Sequence, residues 1–215
     1  KSQSIFIAVQ GGPAAAPAGQ GARRAFIVGA RDARRSLRAT SRGAASITSS
    51  NMLFDEALRR ARSDLYMLVT QTEQGPFPYA GIPWFSTVFG RDGIITALQC
   101  LWFDPSIARG VLAYLAANQA DAEKPEQDAQ PGKILHEFRD DEMSVLGEVP
   151  FRRYYGSIDA TPLFVMLAGA YYKRTGDRAF MESIWSNVQR ALVWIDHYGD
   201  ADGDGFVEYS RRSKH

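Results

Sequence analysis

Arg91 and Asp92 stand side by side near the end of a nineteen-residue stretch, residues 75–93 (GPFPYAGIPWFSTVFGRDG), that also carries five aromatic rings, Phe77, Tyr79, Trp84, Phe85 and Phe89. Trp84 or Phe85 can stack on the apolar C–H face of a pyranose ring. Asp92 can then accept hydroxyl hydrogens while the Arg91 guanidinium donates. A connection that only joins two helices is short and polar, so a long, ring-rich one reads as functional. The competing reading is structural: Asp92 caps a helix beginning at Gly93, and Arg91 pairs with it.

Two further loops carry chemistry. Residues 132–162 (GKILHEFRDDEMSVLGEVPFRRYYGSIDATP) place His136, Glu137 and Arg139 after the apolar pair Ile134 and Leu135. The pair is not the start of HExxH, because Asp140 stands where the second histidine belongs, so no zinc site is assigned. Asp140, Asp141, Glu142 and Glu148 read as solvated or arginine-paired. Tyr154, Tyr155 and Asp159 repeat the recipe of rings and a carboxylate just before a helix, with a helix-start role for Asp159 as the alternative.

The third loop, residues 199–209 (GDADGDGFVEY), opens like a calcium loop with Asp200, Asp202, Asp204 and Gly205. The match ends at its twelfth position, where Arg211 replaces the bidentate glutamate. Asp-Gly turns are common after a helix, so no metal is assigned and calcium stays an alternative with Glu208 as a further ligand. Glycine-rich phosphate loops of the GxGxxG and GxxxxGK types are absent, and spacing supports no Ser-His-Asp or Cys-His arrangement. His197, at a helix end, and His215, in the tail, read as solvated.

Helices must position these loops. Phe54, Ala57, Leu58, Ala61, Leu65 and Leu68 recur at three- and four-residue steps, with Ser49, Ser50 and Asn51 as cap candidates and Asp55 and Glu56 in the first turn. Ile94, Leu98, Leu101 and Trp102 continue the pattern to Asp104 and Pro105, which open a helix carrying Val111, Leu112 and Leu115. Thr161 and Pro162 repeat that start signal before Phe164, Leu167, Ala168 and Tyr171, with Gly176 as a stop. Asp177 then opens a helix through Phe180, Ile184, Val188, Ala191, Leu192 and Ile195 that ends near Gly199. Helix pairs joined by short turns alternate with long loops, and no fixed period marks a solenoid. The expectation is an all-α toroid of helical hairpins with its site on the long-loop face.

The totals limit the functions. The chain has 215 residues, 45% of them apolar, and a net charge of +1, an ordinary globular composition without the strong positive field of a nucleic-acid binder. It has no apolar run long enough for a span, so no membrane partner is expected. Its single cysteine, Cys100, sits among apolar neighbours, which points to a reducing compartment and a cytoplasmic location. Residues 1–47 differ from the rest. A short strand is expected at 4–10, an Ala/Gly/Pro-rich linker at 11–22, and a partly helical, solvated segment at 23–42 bearing seven arginines.

The loops 80–99 (AGIPWFSTVFGRDGIITALQ), 128–143 (DAQPGKILHEFRDDEM), 147–165 (GEVPFRRYYGSIDATPLFV) and 199–209 resemble those of the amylo-α-1,6-glucosidase, or glycogen debranching, family. The resemblance spans roughly residues 48–210. It implies an (α/α)6 catalytic domain at 48–215, preceded by the remnant of an upstream β-rich domain at 1–47.

It further implies hydrolysis of α-linked glucosides, α-1,6 branch points of glycogen or maltooligosaccharides, with inversion by two carboxylic acids. Such a pair stands about 6.5–9.5 Å apart, one protonating the leaving oxygen and the other activating water. By the family's pattern both are expected beyond His215, so the chain reads as an excerpt supplying substrate-binding loops. Trp84, Arg91, Asp92, His136, Glu137, Tyr155 and Asp159 are the expected sugar-binding set. No cofactor is implied.

A trehalase, disaccharide phosphorylase or sugar epimerase could use the same toroid. A non-catalytic carbohydrate-binding module is the alternative from another class. Apolar helix faces left without neighbours are expected to drive aggregation or dimerisation.

Overall fold

The computed structural model describes residues 20–40, 42–140, 142–146, 152–210 and 212. They belong to two units, Lys1–Arg42 and Gly43–His215. The first unit contains helix α1 (Gln20–Thr40), so residues 20–22 of the expected linker are helical. The strand expected at 4–10 lies outside the described residues, as do residues 11–19, Asp141, Glu148, Arg211 and His215.

The second unit is mainly helical, with small antiparallel strands. Its first helix, α2 (Met52–Leu68), starts where the Asn51 side chain accepts hydrogen bonds from the N–H groups of Leu53 and Phe54 at 3.0 and 3.2 Å. Asp55 accepts from the Ser49 N–H and hydroxyl, closing the same turn. Only part of the expected apolar stripe is covered. Leu58, Leu65 and Leu68 are half-buried, Phe54 is 51% exposed, and Tyr66 is the one described residue of α2 that is buried. The Tyr66 hydroxyl donates to the buried Asp104, tying α2 to the start of α4 (Pro105–Ala117).

Asp104 caps α4 by accepting from Ser106 N–H at 3.1 Å, with Pro105 at the first helical position where no N–H is needed. Ile107, Val111, Leu112 and Leu115 are fully buried, each stabilising the fold by roughly 1.5–3 kcal/mol on transfer from water. Helix α3 (Gly90–Cys100) packs on α4 and on α6 (Ala160–Thr175), which pairs with α7 (Arg178–Trp194). Gly176 ends α6 with φ of 65°, a left-handed turn that favours glycine. Asp177 caps α7 through Phe180 N–H at 3.2 Å, and a π-helical turn, Ile195–Gly199, closes it. A four-residue helix, α5 (Glu142–Val145), lies in the second loop.

Two expectations about helix starts are corrected. Thr161 is not a cap: α6 begins one residue earlier, and the buried Thr161 hydroxyl instead accepts from Ile134 N–H at 3.0 Å. Asp92 is not a cap either. Helix α3 begins at Gly90, which places Asp92 inside its first turn, where a carboxylate complements the helix dipole.

The stretch 75–93 is not wholly irregular. β1 (Val69–Thr72) and β2 (Gly75–Pro78) form a hairpin, and Phe77 from β2 is fully buried against α3 and α4. Gly110 of α4 permits this contact, since a Cβ there would lie 2.1 Å from the Pro76 carbonyl oxygen. Gln119, just past α4, donates to the Gly132 and Asn187 carbonyls and accepts from Asn187 and Arg190, fastening the 120s loop to α7. Among the described residues, no helix is long and apolar enough to cross a membrane.

Candidate functional site

Three short strands bring the first two loops together. β3 (Val88–Phe89) pairs antiparallel with β4 (Glu137–Phe138), and β4 pairs with β5 (Arg153–Tyr154). The register sets Phe89 opposite Glu137 and Glu137 opposite Tyr154. Gly90 N–H donates to the His136 carbonyl at 2.8 Å, and His136 N–H donates to the Tyr154 carbonyl at 2.8 Å. This approach requires glycine, because a Cβ on Gly90 would lie 1.9 Å from the Leu135 carbonyl oxygen.

Arg91, one residue after this junction, does not pair with Asp92. Its guanidinium reaches Asp159 at 3.3 Å, joining the first loop to the end of the second. The second oxygen of Asp159 accepts from the Ser157 hydroxyl at 2.6 Å, and Ser157 also takes the Ala160 N–H, which does the capping at the start of α6. Asp159 occupies the cap position but makes no cap bond of its own. Its partial burial would raise its pKa, yet the bonds from Ser157 and Arg91 outweigh this and hold it below the ordinary 3.8. Asp159 therefore stays ionised.

His136 lies between two rings, edge-on to Phe89 at 6.0 Å and to Tyr154 at 5.9 Å. Burial lowers its pKa, and nearby Arg91 lowers it further against the opposing pull of Glu137, Asp159 and Asp92. The ring is thus neutral at pH 7, with its Nδ1 buried and lacking a hydrogen bond among the described residues. Glu137 is 7% exposed and accepts from Arg139 Nε at 2.5 Å. Arg139 also donates to the Trp84 carbonyl at 3.4 Å and lies over the Phe89 ring at 6.0 Å. One arginine thereby braces both the buried glutamate and the aromatic loop.

The five rings divide by burial. Phe77 and Phe89 belong to the core, Tyr79 is half-buried, and Trp84 (78% exposed) and Phe85 face solvent. Trp84, Arg139 and Asp140 line a hollow of about 500 Å³. Asp92 lines a smaller one of about 210 Å³ on the other side of Tyr79, and has no hydrogen-bond or ion-pair partner among the described residues.

Tyr155 is elsewhere. It is 4% exposed and donates its hydroxyl to the Asn118 carbonyl at 2.8 Å, so it has no hydrogen left to offer a ligand. Its neighbour Tyr154 takes the place beside His136. Arg91, Asp159, His136 and Glu137 are gathered at one sheet end, Trp84 is linked to them through Arg139, and Asp92 lies one residue beyond Arg91. Ser157 escaped the sequence reading altogether, and Arg139 and Tyr154, both named there in the second loop, fall outside the expected sugar-binding set. Only strand register separates Tyr154 from Tyr155, and two-residue strands carry no periodic signal.

The third loop supplies a separate cluster. The carboxylates of Asp200, Asp202, Asp204 and Glu208 come within 4.8 Å of one another. They also accept N–H bonds from Gly203, Gly205, Asp204, Phe206 and Ala201, and this folds the loop upon itself. Glu208 thus stands in the cluster, while the twelfth position, Arg211, lies outside the described residues.

No protein-family model matches the chain, and no curated protein matches it.

Proposed function

We propose that this chain holds the terminal glucose of an α-glucan, as part of a glycoside hydrolase of the amylo-α-1,6-glucosidase type. One observation carries the reading. The β3–β4–β5 sheet assembles a cation–carboxylate pair, a neutral imidazole and a buried glutamate beside an exposed tryptophan. A pyranose stacks its C–H face on Trp84, and its hydroxyls bridge Asp159 and Arg91, while Asp92, which lines the neighbouring hollow, is left outside this pose. His136 offers a neutral donor or acceptor to the same ring. The helical hairpins α3–α4 and α6–α7, with short turns and with long loops between them, are taken as part of an (α/α)6 toroid.

Asp159 and Glu137 are assigned to binding. A general acid needs a carboxyl that is protonated near working pH, whereas Asp159 is held ionised by Ser157 and Arg91. Glu137 has committed an oxygen to Arg139. The commitment of both carboxylates to arginines also favours a second reading, a carbohydrate-binding module without turnover. The buried, unpaired Cys100 suits the reducing cytoplasm in which such glucans are handled.

Titration calorimetry with maltotriose and with an α-1,6-branched oligosaccharide tests the proposal. Binding that Arg91→Ala weakens by about ten-fold or more is expected, since a charge-assisted bond contributes roughly 1.5–3 kcal/mol. Absence of binding by the unaltered, folded chain would overturn it. Asp159→Asn that preserves affinity but abolishes turnover in a longer, active form would move Asp159 from binding to catalysis.

A further inference from the structure

The net charge of +1 conceals an uneven distribution. Helix α1 alone carries Arg23, Arg24, Arg31, Arg34, Arg35 and Arg38 against one acid, Asp32. At about 100° per residue, Arg24, Arg31, Arg34, Arg35 and Arg38 all fall within an arc of about 100°, so they share one face. Phe26, Ala30, Ala33 and Leu37, at steps of four, three and four, form a narrow apolar strip on the adjoining side, about 125° around the helix from the arginines, while Ile27 falls within the arginine arc. Phe26, Ile27, Val28 and Leu37 are exposed by 58%, 53%, 38% and 36%. Only Arg31 has an acidic partner among the described residues, its neighbour Asp32 at 3.5 Å.

We propose that α1 is an interfacial helix that docks on an anionic lipid surface, with Phe26 and Leu37 entering the headgroup boundary and the arginine face held by lipid phosphates. Charge complementarity selects the partner. A helix of 21 residues, about 30 Å long, presents its cations as a continuous row that an extended sheet of anionic headgroups can match along its length. A nucleic acid would use the arginine row alone. A lipid surface uses both faces at once, because arginine stems snorkel around an apolar strip to reach the phosphates. The expectation of no membrane partner rested on the lack of a spanning segment, which does not bear on a helix that lies in the interface. This inference is independent of the sugar site.

The test is co-sedimentation of the full chain with phosphatidylcholine vesicles, pure or containing about one third phosphatidylglycerol. Binding to the anionic vesicles, absent on the neutral ones and lost on raising salt, is expected. Neutralising three arginines (R31Q, R34Q and R38Q together) should weaken it roughly a hundred-fold, from about 1 kcal/mol per cation near the surface. Phe26→Ser with Leu37→Ser should weaken it by at least about ten-fold. Circular dichroism of both variants checks that the helices persist. Equal binding to both vesicle types, or none to either, overturns the proposal. So does tighter binding to a short duplex that ignores the Phe26 and Leu37 changes, which would assign α1 to nucleic acid.

Discussion

Arg91 and Asp159, 68 residues apart, meet across two loops at 3.3 Å, while Asp92, directly beside Arg91, stays out of the pair. The partner is chosen by backbone geometry. Successive residues on a helix point about 100° apart, so adjacent Arg91 and Asp92 in the first turn of α3 face different ways. The sheet then carries the second loop across to the Arg91 side.

Both members of this pair are substantially exposed, at 47% and 38%, so its coupling in a double-mutant cycle should be only about 0.2–1 kcal/mol. Its effect on ligand should be larger. The folded-state pKa of Asp159 lies below 3.8, so the stability and the affinity it contributes are present above that value. Both should be lost as pH falls further, through the folded-state value. Affinity measured from pH 7 down to 3 should stay level and then decline, and Asp159→Asn should remove the decline.

Trp84 separates binding from folding. Its side chain is 78% exposed, so Trp84→Ala should shift stability by no more than about 0.5 kcal/mol in a denaturant titration. Sugar affinity should fall by about ten-fold, the scale of one lost ring platform. A large loss of stability with unchanged affinity would remove Trp84 from the site.

Gly90 couples the two. A Cβ at this position meets the Leu135 carbonyl oxygen at 1.9 Å, a contact with backbone that cannot rotate away. Gly90→Ala should cost about 2–4 kcal/mol and pull Arg91 from Asp159. Thermal melts should show the first effect, and weakened sugar binding by the residual folded fraction the second.

Lys133 predicts an alkaline signature. It is 5% exposed, donates to the Asp128 carbonyl at 3.1 Å and lies over the Trp194 ring at 5.4 Å. Burial lowers its pKa from 10.5 to about 8. Between those values the unfolded chain binds the extra proton, so this residue's contribution to stability rises with pH across the interval, by about 2–3 kcal/mol. Tyrosines raised by burial, such as Tyr171 at about 12, oppose it above pH 10. The difference between wild type and Lys133→Met, followed by denaturant melts from pH 7 to 10, isolates the lysine. A constant difference would show that it is not buried as a charge.

Self-association should follow from uncovered apolar surface. Met52, Leu53 and Phe54 at the start of α2 are exposed by 84%, 83% and 51%, and Trp185 and Val193 of α7 by 51% each. Light scattering of the isolated chain should report dimers or larger species, reduced by Phe54→Ser or Trp185→Ser. A monomer with a cooperative melt would contradict this.

The sequence alone determined what local chemistry decides. The Asn51, Asp104 and Asp177 caps, the Gly176 stop and the apolar periodicity of α4 and α7 depend on neighbours within a few residues, and all are found where expected. It also marked the loops that carry the candidate groups. Tertiary structure alone decided their partners. Arg91 finds Asp159, Glu137 finds Arg139, Tyr155 sinks into the core and Tyr154 flanks His136, because a long-range register of two-residue strands sets which side chains meet. Such pairing closes loops of tens of residues and leaves no periodic trace in the chain. The same division separates α1, whose two faces are legible in sequence spacing, from α2, whose apolar stripe is just as legible yet is left partly uncovered by the fold.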